Sequence, residues 1–68
     1  MDEERVELRE RLLRMGEVAN SLSISRALAY RLVQSGRLPA VWMGRAVRVK
    51  PSDLRAYVER NRRGDLER

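Results

Sequence analysis

The sequence predicts a mainly α-helical domain carrying one short β-hairpin, and three observations lead there. Residues 15–39 read as two short helices joined by a tight turn, the second opening on a Ser and stopping at a Gly. Residues 40–49 hold two short runs rich in Val, with one Trp, on either side of Gly44-Arg45-Ala46. Residues 51–61 open on a Pro and carry a helical apolar stripe. At 68 residues the chain has room for one domain around one small core.

The first segment, Asp2 to Leu13, is dense in helix formers. Glu7/Arg11 and Glu10/Arg14 are i,i+4 pairs in the favourable orientation. The expectation is a charged helical extension over 1–13. Met15, Val18, Ala19 and Leu22 then fall at i, i+3, i+4 and i+7, one face of a helix over Met15 to Leu22. Ser23 makes the turn. Ile24 is the apolar residue before the next cap, and Ser25 can offer its hydroxyl to a free backbone N–H. The second helix is expected over Arg26 to Ser35. Leu28, Ala29, Leu32 and Val33 cluster on one side; Arg26, Ala27, Tyr30, Arg31 and Gln34 cluster on the other. Gly36 suits the position after the helix because it takes positive φ without steric cost. Pro39 bars continuation.

The runs AVWM (40–43) and VRV (47–49) read as a hairpin of ambiguous register. A two-residue loop pairs Trp42 with Val47 and turns Trp42 inward. A three-residue loop pairs Met43 with Val47 and Val41 with Val49, burying those four and turning Trp42 and Arg48 outward. The second is favoured because it buries a more uniform aliphatic set. The last helix is expected over Ser52 to Asn61, with Pro51 in its first turn and Asp53 at its positive end. Leu54, Tyr57 and Val58 would be its buried stripe. The expected organisation is 1–13 extension, 14–61 domain, 62–68 flexible tail.

Charge is unevenly spread. The net +5 comprises −2 over residues 1–17, +8 over 18–63 and −1 over the last five. A basic middle between acidic ends points to a polyanionic partner, against the plainer alternative of a solvated surface. Fourteen of the fifteen basic residues are Arg, which grips phosphate or guanine through two parallel hydrogen bonds. With neither Cys nor His, disulfides, Cys/His zinc sites and nucleophile–His pairs are excluded. No apolar run approaches a membrane span, and the first residues are acidic, unlike a signal peptide. A soluble protein of the cytoplasm, associated with the nucleoid and without cofactors, is expected. Asp53 and Glu59, on one helix, read as a dipole partner and a solvated acid rather than a catalytic pair. An enzyme is not expected.

A helix pair whose second member shows Arg, Tyr and Gln to solvent is the usual build of a helix-turn-helix. The whole order resembles the excisionase-type, MerR-like winged helix-turn-helix family over roughly Leu12 to Arg60. The carrying residues are Val18-Ala19, Ile24-Ser25-Arg26, Tyr30-Arg31-Leu32, Gly36-Arg37-Leu38-Pro39-Ala40, Gly44-Arg45, Arg48, Asp53-Leu54 and Ala56-Tyr57. The resemblance implies a recognition helix starting at Ser25 in the DNA major groove. It also implies a wing, the Gly44-Arg45 hairpin, over the phosphate backbone or minor groove. Three positions depart from the family pattern: Arg14 where a capping Thr or Ser is usual, Trp42 in place of a basic residue, and Val47 in place of an aromatic one. An outward Trp42 would be a contact for another subunit or for DNA. An inward Trp42 would fill the core, and both orientations stay open.

On this reading Arg26 is placed to reach a base edge or a phosphate; the plain alternative is a solvated Arg. Tyr30 and Arg31 would hold phosphates, unless Tyr30 packs on the core edge. Ala27 would touch a thymine methyl or is filler. Arg45 and Arg48 would act in the wing, or else serve as edge-strand charges that discourage aggregation. Arg37 and Lys50 would add phosphate contacts. The resemblance implies double-stranded DNA as the partner, with two roles. One is a recombination directionality factor that bends DNA beside an integrase or other recombinase. The other is a small transcription regulator. The lack of an effector-binding or coiled-coil region leans toward the first, with a homo-oligomer on DNA repeats supplying affinity. A protein–protein interaction module using Trp42 and the N-terminal helix is the reading from another class.

Overall fold

The computed structural model describes residues 11–64. Its elements run β1 (Leu13–Arg14), α1 (Met15–Leu22), α2 (Arg26–Gln34), β2 (Val41–Met43), β3 (Ala46–Val49) and α3 (Pro51–Arg60). The strands form one antiparallel sheet in the order β1-β3-β2. Three helices with a β-hairpin wing make a winged helix-turn-helix, the fold class that the sequence predicts.

α1 starts at Met15 without a Ser or Thr cap. The Arg14 side chain has no acceptor to offer, so the cap comes from the other side. Glu17, in the first turn, reaches back and accepts the Arg14 N–H at 2.8 Å, which is half of a capping box. At the far end Ser23 is left-handed, φ 58°. The Ser23 N–H donates to the Asn20 carbonyl at 3.1 Å and the Ile24 N–H to the Ala19 carbonyl at 3.0 Å. That pair of bonds is the Schellman closure of a helix C-terminus.

Ser25 caps α2 as expected: its Oγ accepts the Leu28 N–H at 3.1 Å. Ala29, Leu32 and Val33 are buried, but Leu28 is exposed, against expectation. At 3.6 residues per turn Leu28 sits roughly 90° round from the centre of the Ala29/Leu32/Val33 stripe, on the margin of the core. Gly36, φ 83°, closes α2 with a second Schellman motif: Gly36 N–H to the Val33 carbonyl at 3.1 Å, Arg37 N–H to the Leu32 carbonyl at 3.0 Å. The chain then turns Leu38 wholly into the core.

The hairpin takes the two-residue loop, not the favoured three-residue one. Trp42 pairs with Val47, Met43 with Ala46 and Val41 with Arg48. Gly44 has φ 61° and Arg45 a negative φ, the signs of a type II′ turn, whose twist suits a hairpin. Turn geometry therefore set the register, and aliphatic uniformity did not. The consequence attached to that register also fails. Trp42 shares a face with buried Val47 yet is 57% exposed. β2 is an edge strand whose tertiary contacts are chiefly with β3, so its core-side residues project past the core. Met43 is exposed and Val41 only half-buried, while Val47 and Val49 are buried.

Leu13 is the second correction. Instead of ending a helix it pairs with Val49 in the sheet and packs on the core. This pairing satisfies the second edge of β3, which would otherwise lie open. The rest of the predicted N-terminal helix, residues 1–10, and residues 65–68 of the expected tail lie outside the described residues. In α3, Leu54 is buried and Tyr57 half-buried against the core, whereas Val58 is exposed, against expectation. The core joins Met15, Val18 and Ala19 of α1, Ala29, Leu32 and Val33 of α2, Leu38, Val47 and Val49 of the sheet region, and Leu54 of α3.

Candidate nucleic-acid interface

The two helix caps orient α2 so that one side of it is committed to the core and the rest is free. Arg26, Ala27, Tyr30, Arg31 and Gln34 are all exposed on it, as is the cap residue Ser25. Arg45 is exposed at the hairpin tip; Arg48 is half-buried in the middle of β3. Between Glu17 and Asp53 the sequence has no acidic residue, and this stretch contains all of α2 and the whole hairpin. That stretch therefore brings no acid of its own to the predicted site residues, and Glu17 lies beside Arg26 only through the fold.

Three groupings emerge that the sequence did not disclose. First, Arg14 stands directly opposite Arg48 in the sheet. Like charges facing each other across strands are destabilising unless a counter-ion lies between them. The Arg48 Nη1 donates to the Val47 carbonyl at 3.0 Å, which anchors one guanidinium.

Second, a cleft of about 410 Å³ lies between α1 and the start of α2, lined by Arg14, Gly16, Glu17, Asn20, Ile24 and Arg26 among others. The Arg26 guanidinium lies against the bare Cα of Gly16. Glu17 is engaged on both oxygens: Oε2 accepts from Arg11 Nη2 and Oε1 from the Arg14 N–H, each at 2.8 Å. The Arg11 hydrogen bond, then that N–H, hold the Glu17 carboxyl below the usual range, and Glu17 in turn raises Arg11.

Third, Arg37, Tyr57, Arg60, Asn61 and Arg63 line a second cleft, of about 490 Å³, with no acid among them. Arg60 donates to the Arg37 carbonyl at 3.1 Å and lies 5.9 Å from the centre of the Tyr57 ring. Asn61 donates to the Tyr57 carbonyl at 2.7 Å. These side chains gather where α2 and α3 end, so cations there also answer the negative helix poles. Arg62 is turned aside onto Glu59 at 3.3 Å.

Arg14, Gly16, Asn20, Arg60 and Arg63 are the residues that sequence reasoning missed. Their positions in the chain carried no periodic or motif signal; only the fold brings them beside Arg26, Arg48 and Arg37. Among the described residues no group of three or more acidic side chains could hold a metal ion, and no helix is long and apolar enough to cross a membrane.

A model of the helix-turn-helix domain family matches residues 12–62, from β1 to the end of α3. The chain belongs to that family. It is 44% identical over 48 residues to proteins from two strains of Mycobacterium tuberculosis, CDC 1551 and ATCC 25618, each named provisionally a DNA-binding protein. The match covers 71% of this chain, and the chain spans 62% of the length of those relatives. No solved structure matches significantly.

Proposed function

We propose that this helix-turn-helix protein binds double-stranded DNA sequence-specifically, with α2 in the major groove and the hairpin as wing. The observation that carries the reading is the acid-free stretch between Glu17 and Asp53, which holds the exposed Arg26, Tyr30, Arg31, Arg37 and Arg45 and the half-buried Arg48. The name of the mycobacterial relatives supports the same partner. Ser25, Ala27 and Gln34 complete the groove-facing side of α2. The protein performs no catalysis in this reading, and its place is the nucleoid.

The finer role is that of an excisionase-like accessory factor, which bends DNA beside a recombinase and assembles as copies on repeated sites. Exposed Trp42 and Met43 on the edge strand support a contact between adjacent copies. A small transcription regulator of the MerR-like kind is the second reading.

Duplex binding followed against salt tests the core of the proposal. About five to seven phosphate contacts give a log–log slope of roughly −4.5 to −6. No duplex binding at any salt concentration would leave only a protein-binding role for Trp42 and its surroundings. Circular-permutation gels then separate the finer roles: an accessory factor bends its site, and a flat mobility profile removes it.

A further inference from the structure

Gly16 occupies the second position of α1, in a helix with no need of glycine. Only Gly36 and Gly44 among the described glycines have positive φ, so the Gly16 backbone is one that any L residue adopts. Its missing side chain leaves room that another residue fills. The Arg26 Nη2 lies 2.6 Å from where a Gly16 Cβ would stand, with Cζ and Nε at 3.5 and 3.6 Å. Real Cβ atoms do not tolerate the first of these distances, so alanine at 16 would displace the guanidinium.

We propose that Arg26 grips a DNA backbone phosphate beside α1, and that Gly16 is the positioning residue whose missing side chain leaves room for it there. The inference deepens the DNA-binding reading and rests on it. The guanidinium lies against the first turn of α1 and shares a cleft with Arg14 and Asn20, whose cation and amide suit a phosphodiester oxygen. The one acid of the cleft, Glu17, directs its two oxygens to Arg11 and the Arg14 N–H rather than to Arg26. Arg26 thus keeps its charge available to a phosphate in the cleft, the kind of contact that sets register.

The experiment is a double-mutant cycle of Gly16→Ala and Arg26→Gln, read by duplex anisotropy against salt on a preferred and an unrelated sequence. Gly16→Ala melts no lower than wild type, since alanine is the better helix former. Even so, its salt slope becomes shallower by up to about 0.9, the value of one phosphate. Arg26→Gln has the same effect on slope and weakens both duplexes by the same factor, about tenfold. In the Arg26→Gln background Gly16→Ala changes nothing further. The Arg26 Nε–H resonance of the free protein also shifts in Gly16→Ala. Wild-type binding by Gly16→Ala, or a further loss in the Arg26→Gln background, overturns the role of Gly16. Loss confined to the preferred duplex makes Arg26 a base reader and overturns the phosphate grip. If the wild type bound no duplex, the DNA reading itself would fall and this inference with it. An indifferent Gly16→Ala beside a DNA-binding wild type fells the inference alone.

Discussion

The two turns that bound the helix-turn-helix use the same hydrogen-bond scheme and different residues. After α1 the left-handed position is Ser23; after α2 it is Gly36. Both are followed by an apolar residue that turns back onto the core, Ile24 immediately and Leu38 one residue later. The burial behind them differs. Leu38 is fully enclosed, whereas Ile24 is only half-buried beside the Arg26 cleft. The α2 exit is thus a structural anchor with the residue best suited to its backbone, while the α1–α2 turn carries backbone strain at the edge of the proposed DNA surface. Strain held next to a binding surface is a common arrangement, because the neighbouring structure must over-determine it.

The sharpest way to break this comparison is at the anchor. Leu38→Ala removes a wholly buried side chain from the point where α2, the sheet and the rest of the core meet. The expected loss is about 2–5 kcal/mol, enough to unfold a domain of this size at moderate temperature. Ile24→Ala, at the half-buried counterpart, should cost clearly less. Equal losses in thermal or urea melts would erase the distinction between the two exits.

The capping and backbone terms come next. Ser25→Ala removes the only side-chain acceptor at the α2 start and should cost about 1 kcal/mol. Ser23→Gly should do the reverse. A left-handed L residue costs about 1–2 kcal/mol, and glycine gives back part of that through the unfolded state. A net gain of roughly 0.5–1 kcal/mol is expected, and Gly36→Ser should show the mirror-image loss. A Ser23→Gly variant that melts lower than wild type would mean that Ser23 is not under strain.

What could be read from the chain and what could not divide along the same line. Signals local in sequence were dependable. The period of α1, the Ser25 cap, the Gly36 stop and the Pro51 start each reflect interactions within a few residues, and each stands in the structure. Matters that depend on distant partners were not readable. Leu13 looks helical among its charged neighbours, but its conformation is decided by Val49, far along the chain. Leu28 and Val58 fit their apolar stripes, yet both stay exposed at the margin of the core. Trp42 shows the limit most plainly, since pairing register and pleat direction suggest an interior position that the edge location of β2 denies. The exposed face predicted for α2 is a local pattern and stands in the structure, whereas Gly16 and Arg14 needed the fold to bring them to Arg26.

The acid–base term is smaller, since Glu17 and Arg11 are both at the surface. The Glu17 carboxyl is held below its ordinary value in the folded chain. Its contribution is therefore present above the ordinary carboxylate range and is lost as pH falls through the lower folded value. Glu17→Gln keeps an oxygen for the Arg14 N–H but removes the charge, so its melting temperature should fall less steeply than that of wild type below about pH 4.5. Identical acid limbs for the two proteins would show that the Arg11 pair contributes nothing to folding.

The smallest expected effect on stability is also the one most informative about function. Trp42 is 57% exposed on an edge strand, so Trp42→Ala should change folding stability by no more than about 0.5 kcal/mol. A buried Trp would instead cost about 3–5 kcal/mol. In the free protein its fluorescence should be red-shifted, as for an indole in water. The protein keeps a large apolar side chain in solvent on an open strand edge, where a charge would better discourage association. That choice makes sense if another copy or the DNA covers it. Trp42→Ala should then leave binding to a single duplex site close to wild type while weakening cooperative filling of repeated sites. The indole emission should shift to the blue only on DNA that accepts more than one copy. A blue shift on single-site DNA would instead assign Trp42 to the wing–DNA contact, and no shift on either would leave it as solvent-facing surface.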